Sequence, residues 1–254
     1  MAPPAGADYI TVMLELILLR HGESEGNRDR VFGGHGPMRL TELGHRQAEA
    51  AAAAIDDGLA PIEAIYASDL ARTVETAAPL ARRTVRDPVL TAALRERSVG
   101  ELTGISFDEA RERFPELWAQ LSKRDPAWCP PGGESHHDCS RRVGAFLDEV
   151  LARHASGRVV LVSHAVAIDH LLRHVVGIAG AAAFRCLFHV DNCSIHRVLR
   201  KDDGPFRIAA INDVAHLGEL RTATERAAWL PARAETPRKD DEARGDSTAA
   251  PRRR

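Results

Sequence analysis

The stretch that decides the fold is Leu16-Ile17-Leu18-Leu19-Arg20-His21-Gly22-Glu23-Ser24-Glu25-Gly26-Asn27. An apolar run ends abruptly in an Arg-His pair, and a loop containing glycine follows. A second apolar run, Val159–Val162, ends in the same way in Ser163-His164. The carboxyl ends of parallel strands meet at one edge of a sheet, where open α/β folds bind ligands. The two runs therefore predict two imidazoles in one crevice, with an arginine beside them.

Two histidines and a flanking arginine suit a phosphoryl group. One imidazole can attack phosphorus, while cations hold the phosphoryl oxygens. Gly22 and Gly26 allow the backbone to approach a ligand closely, and exposed N–H groups in such a loop favour anions. The pattern thus indicates chemistry on a phosphate ester.

Two further residues follow strands near the same edge. Arg72 stands in the first turn of a helix predicted over Asp69–Arg83, where it can clamp a phosphate. Glu96 follows the third predicted strand and can protonate a leaving oxygen, provided that its surroundings keep the carboxyl partly neutral. Each also has an ordinary interpretation, because a solvated arginine or a glutamate between two arginines is common on protein surfaces.

Strands and helices alternate from Leu14 to Val176, which predicts an α/β fold: a three-layer sandwich with a mainly parallel central sheet. A single domain is expected over residues 13–220, between a flexible tail at 1–12 and a disordered tail at 221–254. The expected strands are Leu14–Leu19, Ile62–Ala67, Val89–Ala92, Arg158–Val162, Ser194–Leu199 and Phe206–Ala210. The expected long helices are Glu42–Asp56, Asp69–Arg83, Glu134–His154 and Val166–Val176.

The composition argues against several partners. The chain carries 34 basic and 36 acidic side chains for a formal net charge of -2, which gives no reason to expect nucleic acid or a membrane surface. No run reaches the ~18 apolar residues that a membrane span needs. The four cysteines form no CxxC pair, so we expect reduced thiols and a cytoplasmic protein.

Two competing motifs suggest other chemistry. Gly22–Gly26 matches the G-x-S-x-G nucleophile elbow of α/β-hydrolases, but no amphipathic helix follows it. Its place so near the amino terminus also leaves no room for the earlier strand that contributes to the oxyanion hole. His170 and His174 lie four residues apart on a predicted helix, the spacing of a metal pair. The intervening Leu171-Leu172 indicates an ordinary packed helix instead. His136-His137 follows a turn and is expected to be exposed.

Taken together, these residues resemble the histidine phosphatase superfamily, in its phosphoglycerate mutase-like branch, over roughly Leu14 to Leu217. The pieces that carry the resemblance are the signature loop Arg20-His21-Gly22-Glu23-Ser24 with Asn27, the helix Leu40-Thr41 to Gly44 with Gln47-Ala48, the S-D-L-x-R-x-x-x-T-A stretch Ser68–Ala77, the acid loop Leu94-Arg95-Glu96 with Gly100 and Gly104, the turn Pro131-Gly132-Gly133-Glu134-Ser135, and Val162-Ser163-His164.

The resemblance implies roles for these residues. His21 attacks phosphorus and becomes a phosphohistidine, while Glu96 gives a proton to the leaving alcohol and then takes one from water. The chemistry needs no metal ion and no other cofactor. The implied catalytic set is Arg20, His21, Arg72, Glu96 and His164. The implied phosphate-binding set is Arg20, Ser24, Asn27, Gly33, Arg72, His164 and Ala165, the last through its backbone N–H.

Two departures bear on the reaction. Mutase members have longer basic segments after the acid loop, including an Arg-Arg pair that grips a bisphosphorylated intermediate. Here the segment Glu101–Pro130 is short and contains no Arg-Arg pair, and position 165 is alanine where the family often has glycine or asparagine. Both favour hydrolysis of a small phosphorylated metabolite by a metal-independent phosphomonoester phosphatase. A mutase on the same site and a non-catalytic relative that binds a phosphometabolite remain alternatives.

The substrate and the assembly stay open. Phe114, Trp118 and Trp128 could line an apolar roof over the site for a sugar, a nucleotide or a cobamide precursor, or could pack on the core. Members of the family often form homodimers, but no distinct apolar patch in the sequence demonstrates one.

Overall fold

The computed structural model describes residues 13–123, 125–178 and 186–221. The predicted tail at 1–12 lies outside these ranges, as does all but the first residue of the predicted tail at 221–254. Within the described ranges, no helix is long and apolar enough to cross a membrane.

A six-stranded sheet lies between two layers of helices, in the strand order β3-β2-β4-β1-β5-β6. The strands are β1 (Leu14–Arg20), β2 (Ile62–Ser68), β3 (Val89–Thr91), β4 (Gly157–Ser163), β5 (Ile195–Arg200) and β6 (Arg207–Asp213). The helices are α1 (Glu25–Arg28), α2 (Glu42–Ile55), α3 (Ala71–Thr84), α4 (Phe107–Arg113), α5 (Pro115–Lys123), α6 (His136–Arg153) and α7 (Ala165–Val176). Strands β1 to β4 are parallel to one another. Strand β5 runs antiparallel to β1, and β6 runs antiparallel to β5. The predicted three-layer α/β sandwich is confirmed.

The parallel strands bury both faces because each alternates its side chains between two cores. In β1, Leu16 and Leu18 face the core under α6 and α7, whereas Ile17 and Leu19 face the core under α2 and α3. All four side chains are fully buried. The apolar run that opens the sequence is therefore the centre of the sandwich.

Local capping explains where the helices begin. Thr41 accepts a hydrogen bond from Gly44 N at 3.0 Å and starts α2 at Glu42, as expected. Ser135 caps α6 together with Asp138, so this helix begins at His136 rather than at the predicted Glu134. One helix was missed: α1 occupies part of the loop after His21, and four residues are too few to show a period.

A buried ion network ties the strands together at the amino edge of the sheet. Arg158 of β4 donates from Nε to Glu15 of β1 at 2.8 Å and from Nη1 to Asp57 at 2.9 Å. Arg197 of β5 donates to the other oxygen of Glu15 at 2.6 Å. The Arg158 side chain is 1% exposed, so its charge depends on these partners. At the opposite, carboxyl edge of the sheet, β1 ends at Arg20 and β4 ends at Ser163.

We expect the Glu15→Gln variant to lose about 2–3 kcal/mol of unfolding free energy, because removing one partner of a buried pair strands a charge and Asp57 compensates only in part. Urea denaturation measures the loss. The matched control is Glu49→Gln, whose carboxylate pairs with Arg82 where the two side chains are 57% and 64% exposed. The control should change by less than about 1 kcal/mol. Equal losses in both variants would contradict the assignment.

Candidate active site

Two histidines stand side by side at the carboxyl edge of the sheet. Arg20 pairs with Ser163 in the register between β1 and β4, so His21 and His164 each follow by one residue on neighbouring strands. Their ring centroids are 5.1 Å apart with an interplanar angle of 61°, and both side chains are buried. The structure thus brings together the two imidazoles that the strand ends predict.

The His21 imidazole is neutral, and one hydrogen bond determines its tautomer. Its Nδ1 lies 2.7 Å from the carbonyl oxygen of Gly22, and a carbonyl only accepts, so Nδ1 carries the proton. Burial, and then the guanidinium groups of Arg72 and Arg20, hold the pKa of His21 well below its ordinary value. Nε2 therefore keeps a free lone pair, which is what a nucleophile requires.

The backbone of this loop is fixed on three sides. The N–H of His21 donates to Ser163 O at 3.0 Å, its carbonyl accepts from Asn192 Nδ2 at 3.0 Å, and the N–H of Gly22 donates to Thr76 Oγ1 at 3.1 Å. The loop thus spans contacts to β4, to the segment before β5, and to α3. These contacts set the direction of the His21 ring.

Helix α2 touches the loop backbone directly. A Cβ on Gly22 would lie 2.5 Å from Gly44 O, and one on Gly44 would lie 2.0 Å from Glu23 O. Neither distance leaves space for a methyl group, so both positions need glycine for this approach. The absence of a side chain at Gly22 therefore allows the loop to pack directly against α2.

Arg72 is a buried cation with three directed contacts. Its Nε donates to His164 Nδ1 at 3.2 Å, Nη2 to Gly34 O at 2.9 Å and Nη1 to Gly36 O at 3.3 Å. Burial lowers the pKa of Arg72 to about 10, against the opposing effect of Glu96. The group stays charged at neutral pH, and the guanidinium retains further N–H groups for an anion.

His164 supports this arginine. Its Nδ1 accepts from Arg72, so Nε2 carries the proton and donates to Ser68 Oγ at 2.9 Å. Burial, followed by the charge of Arg72, lowers the pKa of His164 well below its ordinary value. Both ring nitrogens of His164 thus have hydrogen-bond partners within the protein.

Arg20 and Asn27 flank His21 on the other side. Arg20 Nη1 donates to Val190 O at 2.6 Å. Asn27 Oδ1 accepts from Ser24 N at 3.1 Å, Ser24 Oγ at 3.0 Å and Asn192 Nδ2 at 3.1 Å. Because the amide is planar, its NH₂ group points away from these donors and can serve a ligand. The hydroxyl of Ser24 caps α1, so the serine of the G-x-S-x-G match bonds to Asn27 rather than to an imidazole.

Glu96 lies at the amino terminus of α7. Its Oε1 accepts from Arg97 N at 2.8 Å and its Oε2 from Val166 N at 3.3 Å. Since α7 begins directly after His164, this contact brings the predicted acid to the histidine pair. Ala165, the first residue of α7, stands at the same helix end.

The loop that carries Glu96 is clamped by residues that sequence reasoning missed. Arg142 donates to both oxygens of Glu134 at 2.9 and 2.8 Å, and to the carbonyls of Ala93 at 2.9 Å and Arg95 at 3.0 Å. Glu134 in turn accepts from Ser98 N at 3.0 Å. Glu134 belongs to the turn quoted above, whereas Arg142 is one of several arginines on α6 and carries no signal of its own.

Phosphate binding by Gly33 stays a prediction, and Arg72 contacts the carbonyls of Gly34 and Gly36 in the same loop. One exposure was wrongly predicted. His136, expected to be exposed, is half-buried with Nδ1 3.2 Å from His170 Nε2, because α6 and α7 pack together there. His174 pairs with Asp148 at 2.8 Å, so His170 and His174 have different partners, and the intervening Leu171 and Leu172 are buried as expected for a packed helix. Among the described residues, no group of three or more His, Cys, Asp or Glu could hold a metal.

Comparison with known proteins identifies the family. Residues 16–214 match the histidine phosphatase superfamily, branch 1. The chain belongs to the histidine phosphatase superfamily. The resemblance read from the strand ends and the glycine loop is thereby confirmed.

Relatives of this superfamily member include both phosphatases and mutases. It is 35% identical over 207 residues to a bifunctional protein of Mycobacterium tuberculosis, covering 80% of this chain and 54% of that protein, and so spans about half the length of that relative. It is 33% identical over 213 residues to a probable phosphoglycerate mutase of Proteus mirabilis, covering 82% and 97% of the two chains. The structure of a mycobacterial glucosyl-3-phosphoglycerate phosphatase complexed with VO3 superposes with a TM-score of 0.67 at 29% identity, covering 78% and 98%.

The buried histidines of this superfamily member predict acid sensitivity. Burial lowers the pKa of His196 from 6.5 to about 4. Between these values the unfolded chain binds a proton that the folded protein does not, so stability falls as pH drops below the ordinary value. Each such histidine should cost up to about 2 kcal/mol between about pH 6.5 and 5. Urea denaturation across this range measures the slope.

The slope can be assigned to a residue. His196→Asn should flatten the pH dependence of the unfolding free energy, whereas His45→Asn should leave it unchanged, because His45 is exposed on α2. An unaltered slope in the His196 variant would show that His196 does not contribute.

Proposed function

We propose that this protein is a phosphomonoester phosphatase that works through a phosphohistidine on His21. The observation that carries the proposal is the state of His21: a buried imidazole whose Nδ1–H is bound to Gly22 O, and whose lowered pKa leaves Nε2 unprotonated between Arg20 and Arg72. A neutral imidazole framed by two guanidinium groups matches a phosphate dianion in charge and presents a nucleophile to phosphorus.

The proposed reaction proceeds in two balanced steps. His21 Nε2 forms a bond to phosphorus as the bond from phosphorus to the ester oxygen breaks, and Glu96 gives its proton to the leaving alkoxide. A water molecule then attacks phosphorus and gives a proton to Glu96, and the bond from phosphorus to Nε2 breaks. Inorganic phosphate leaves, and His21 and Glu96 return to their starting states.

In this proposal, two arginines stabilise the negative charge of the phosphoryl group. The charges of Arg72 and Arg20 act on the His21 ring, and the same charges can stabilise the equatorial oxygens of the transition state. Asn27 adds its NH₂ group from the same loop. With these groups in place, we propose that turnover requires no metal ion.

The segment from Phe107 to Lys123, which forms α4 and α5, supports hydrolysis over mutase chemistry. Its cations are turned to local partners: Arg111 stacks on Trp118 at 5.2 Å, and Arg113 pairs with Glu109 and stacks on Phe114 at 5.4 Å. Phe114 and Trp118 also pack with Leu102 in a small third core. These arginines are therefore engaged by side chains of the same segment. We propose that water accepts the phosphoryl group.

The proposed mechanism predicts which variants lose turnover. With p-nitrophenyl phosphate and EDTA present, the wild type should release product and His21→Ala should not. Glu96→Gln should cost on the order of 10²–10⁴-fold with alkyl phosphates, as expected for a lost general acid. His45→Ala, an exposed histidine on α2, is the matched control and should keep full activity. Turnover by His21→Ala would contradict the proposal, and so would loss of wild-type turnover in the presence of EDTA.

The similarity to a probable phosphoglycerate mutase supports a mutase as the second candidate function. Product analysis distinguishes a mutase from a phosphatase. The wild type is incubated with 3-phosphoglycerate and a trace of 2,3-bisphosphoglycerate, and products are followed by ³¹P NMR. We expect inorganic phosphate from the phosphomonoester. Accumulation of 2-phosphoglycerate without inorganic phosphate would establish phosphoryl transfer between substrates instead.

A further inference from the structure

His35 connects two parts of the site that lie far apart in the chain. It stands between Gly34 and Gly36, the two residues whose carbonyls accept from Arg72. Its own Nε2 lies 2.8 Å from the backbone carbonyl oxygen of Glu96. The half-buried side chain thus bridges the glycine loop, residues 33–36, and the acid loop, residues 95–104.

The direction of this hydrogen bond is determined by its partner. A carbonyl oxygen only accepts, so Nε2 of His35 carries the proton and donates. Arg72 holds the backbone carbonyls of Gly34 and Gly36. The guanidinium of Arg72 therefore fixes the backbone on either side of His35, from which the ring reaches Glu96.

The two loops are also packed together at their base. Gly104 N donates to Phe32 O, and Phe32 N donates to Ile105 O, both at 2.9 Å. A Cβ on Gly34 would lie 2.8 Å from Val99 Cγ2 and 2.9 Å from Thr103 Oγ1, so this glycine lets the loops touch. His35 adds a contact to Glu96 on top of a joint that is already formed.

The backbone of Glu96 is held by donors from two directions. Its carbonyl accepts from His35 at 2.8 Å and from Arg142 Nη2 at 3.3 Å. Its carboxyl oxygens accept from Arg97 N and Val166 N. Because the carbonyl and the carboxyl belong to one residue, a shift of the backbone reorients the group that transfers the proton. A misplacement of a reacting group by about 1 Å can lower the rate by about 10²-fold.

We propose that His35 is a positioning residue for the general acid: its hydrogen bond to the Glu96 carbonyl couples the Arg72 phosphate clamp to the placement of the Glu96 carboxyl. The inference rests on the proposed function, in which Glu96 protonates the leaving group. His35 acts through Glu96 and not on the reacting atoms. Its loss should therefore affect proton transfer selectively and leave phosphate binding intact.

Leaving-group dependence tests this selectivity. An alkyl phosphate needs a proton on its poor leaving group, whereas p-nitrophenolate departs with little help. We expect His35→Ala to lower kcat/KM, which reports phosphoryl transfer to His21 and not the hydrolysis step that both substrates share, by about 10–100-fold for an alkyl phosphate such as glycerol phosphate. The loss in kcat/KM for p-nitrophenyl phosphate should be less than about 3-fold. The inhibition constant of inorganic phosphate should change by less than about 3-fold, because Arg72 binds backbone carbonyls that the substitution retains.

Rescue and coupling separate positioning from a general structural role. His35→Gln keeps an N–H donor that can reach the carbonyl, and should recover most of the alkyl phosphate activity. In a Glu96→Gln background, His35→Ala should cause no further loss, since the acid that it positions is already absent. His45→Ala serves as the exposed-histidine control, and thermal denaturation verifies that each variant is folded.

Three results would overturn the inference: equal loss on both substrates, no rescue by His35→Gln, or additive losses with Glu96→Gln. A phosphate inhibition constant raised more than about 10-fold would place His35 in direct contact with the ligand instead. If His21→Ala turns over like the wild type, the proposed function itself fails, and the inference with it. Normal dependence on His21 with any of the first three results removes only the role of His35.

Discussion

The register between β1 and β4 is the constraint on which the site depends. Arg20 lies opposite Ser163, so that the residue after each strand is a histidine at the same height on the sheet edge. A slip by one residue would turn every side chain of a strand to the other face, exchange the two cores and separate the rings of His21 and His164. The ion network at the opposite edge, in which Arg158 of β4 donates to Glu15 of β1, opposes such a slip.

Burial then gives the site its chemistry. Charged imidazoles would be costly beside two guanidinium groups in a dry crevice, so His21 and His164 are held neutral and their pKa values fall. The arginines keep their charge because guanidinium loses its proton only at high pH. The result is a nucleophile and a set of cations in the same small volume, without a proton on the nucleophile. Backbone carbonyls orient both kinds of group, at Gly22 for His21 and at Gly34 and Gly36 for Arg72.

The sequence was sufficient for the parts of the site that sit at strand ends, because strand direction alone places them. His21, His164 and Arg72 could be brought together in this way, and the sheet, the layers and the long helices followed from periodicity. The supports could not be predicted. Asn192 and Arg142 come from distant segments whose sequences have no pattern that points at the site. The exposure of His136 was wrongly predicted, since its burial depends on how α6 and α7 meet, and the four-residue α1 was too short to recognise.

The central claim is that the Nε2 atom of His21 attacks phosphorus. It is tested most directly by rapid-quench trapping of the protein during turnover of a ³²P-labelled substrate, followed by alkaline hydrolysis and separation of the phosphohistidine isomers. The account predicts label on His21 as the Nε2-phosphoryl isomer, because Nδ1 is bound to the Gly22 carbonyl. Label on Nδ1, label on Ser24, or turnover with no labelled protein would contradict it.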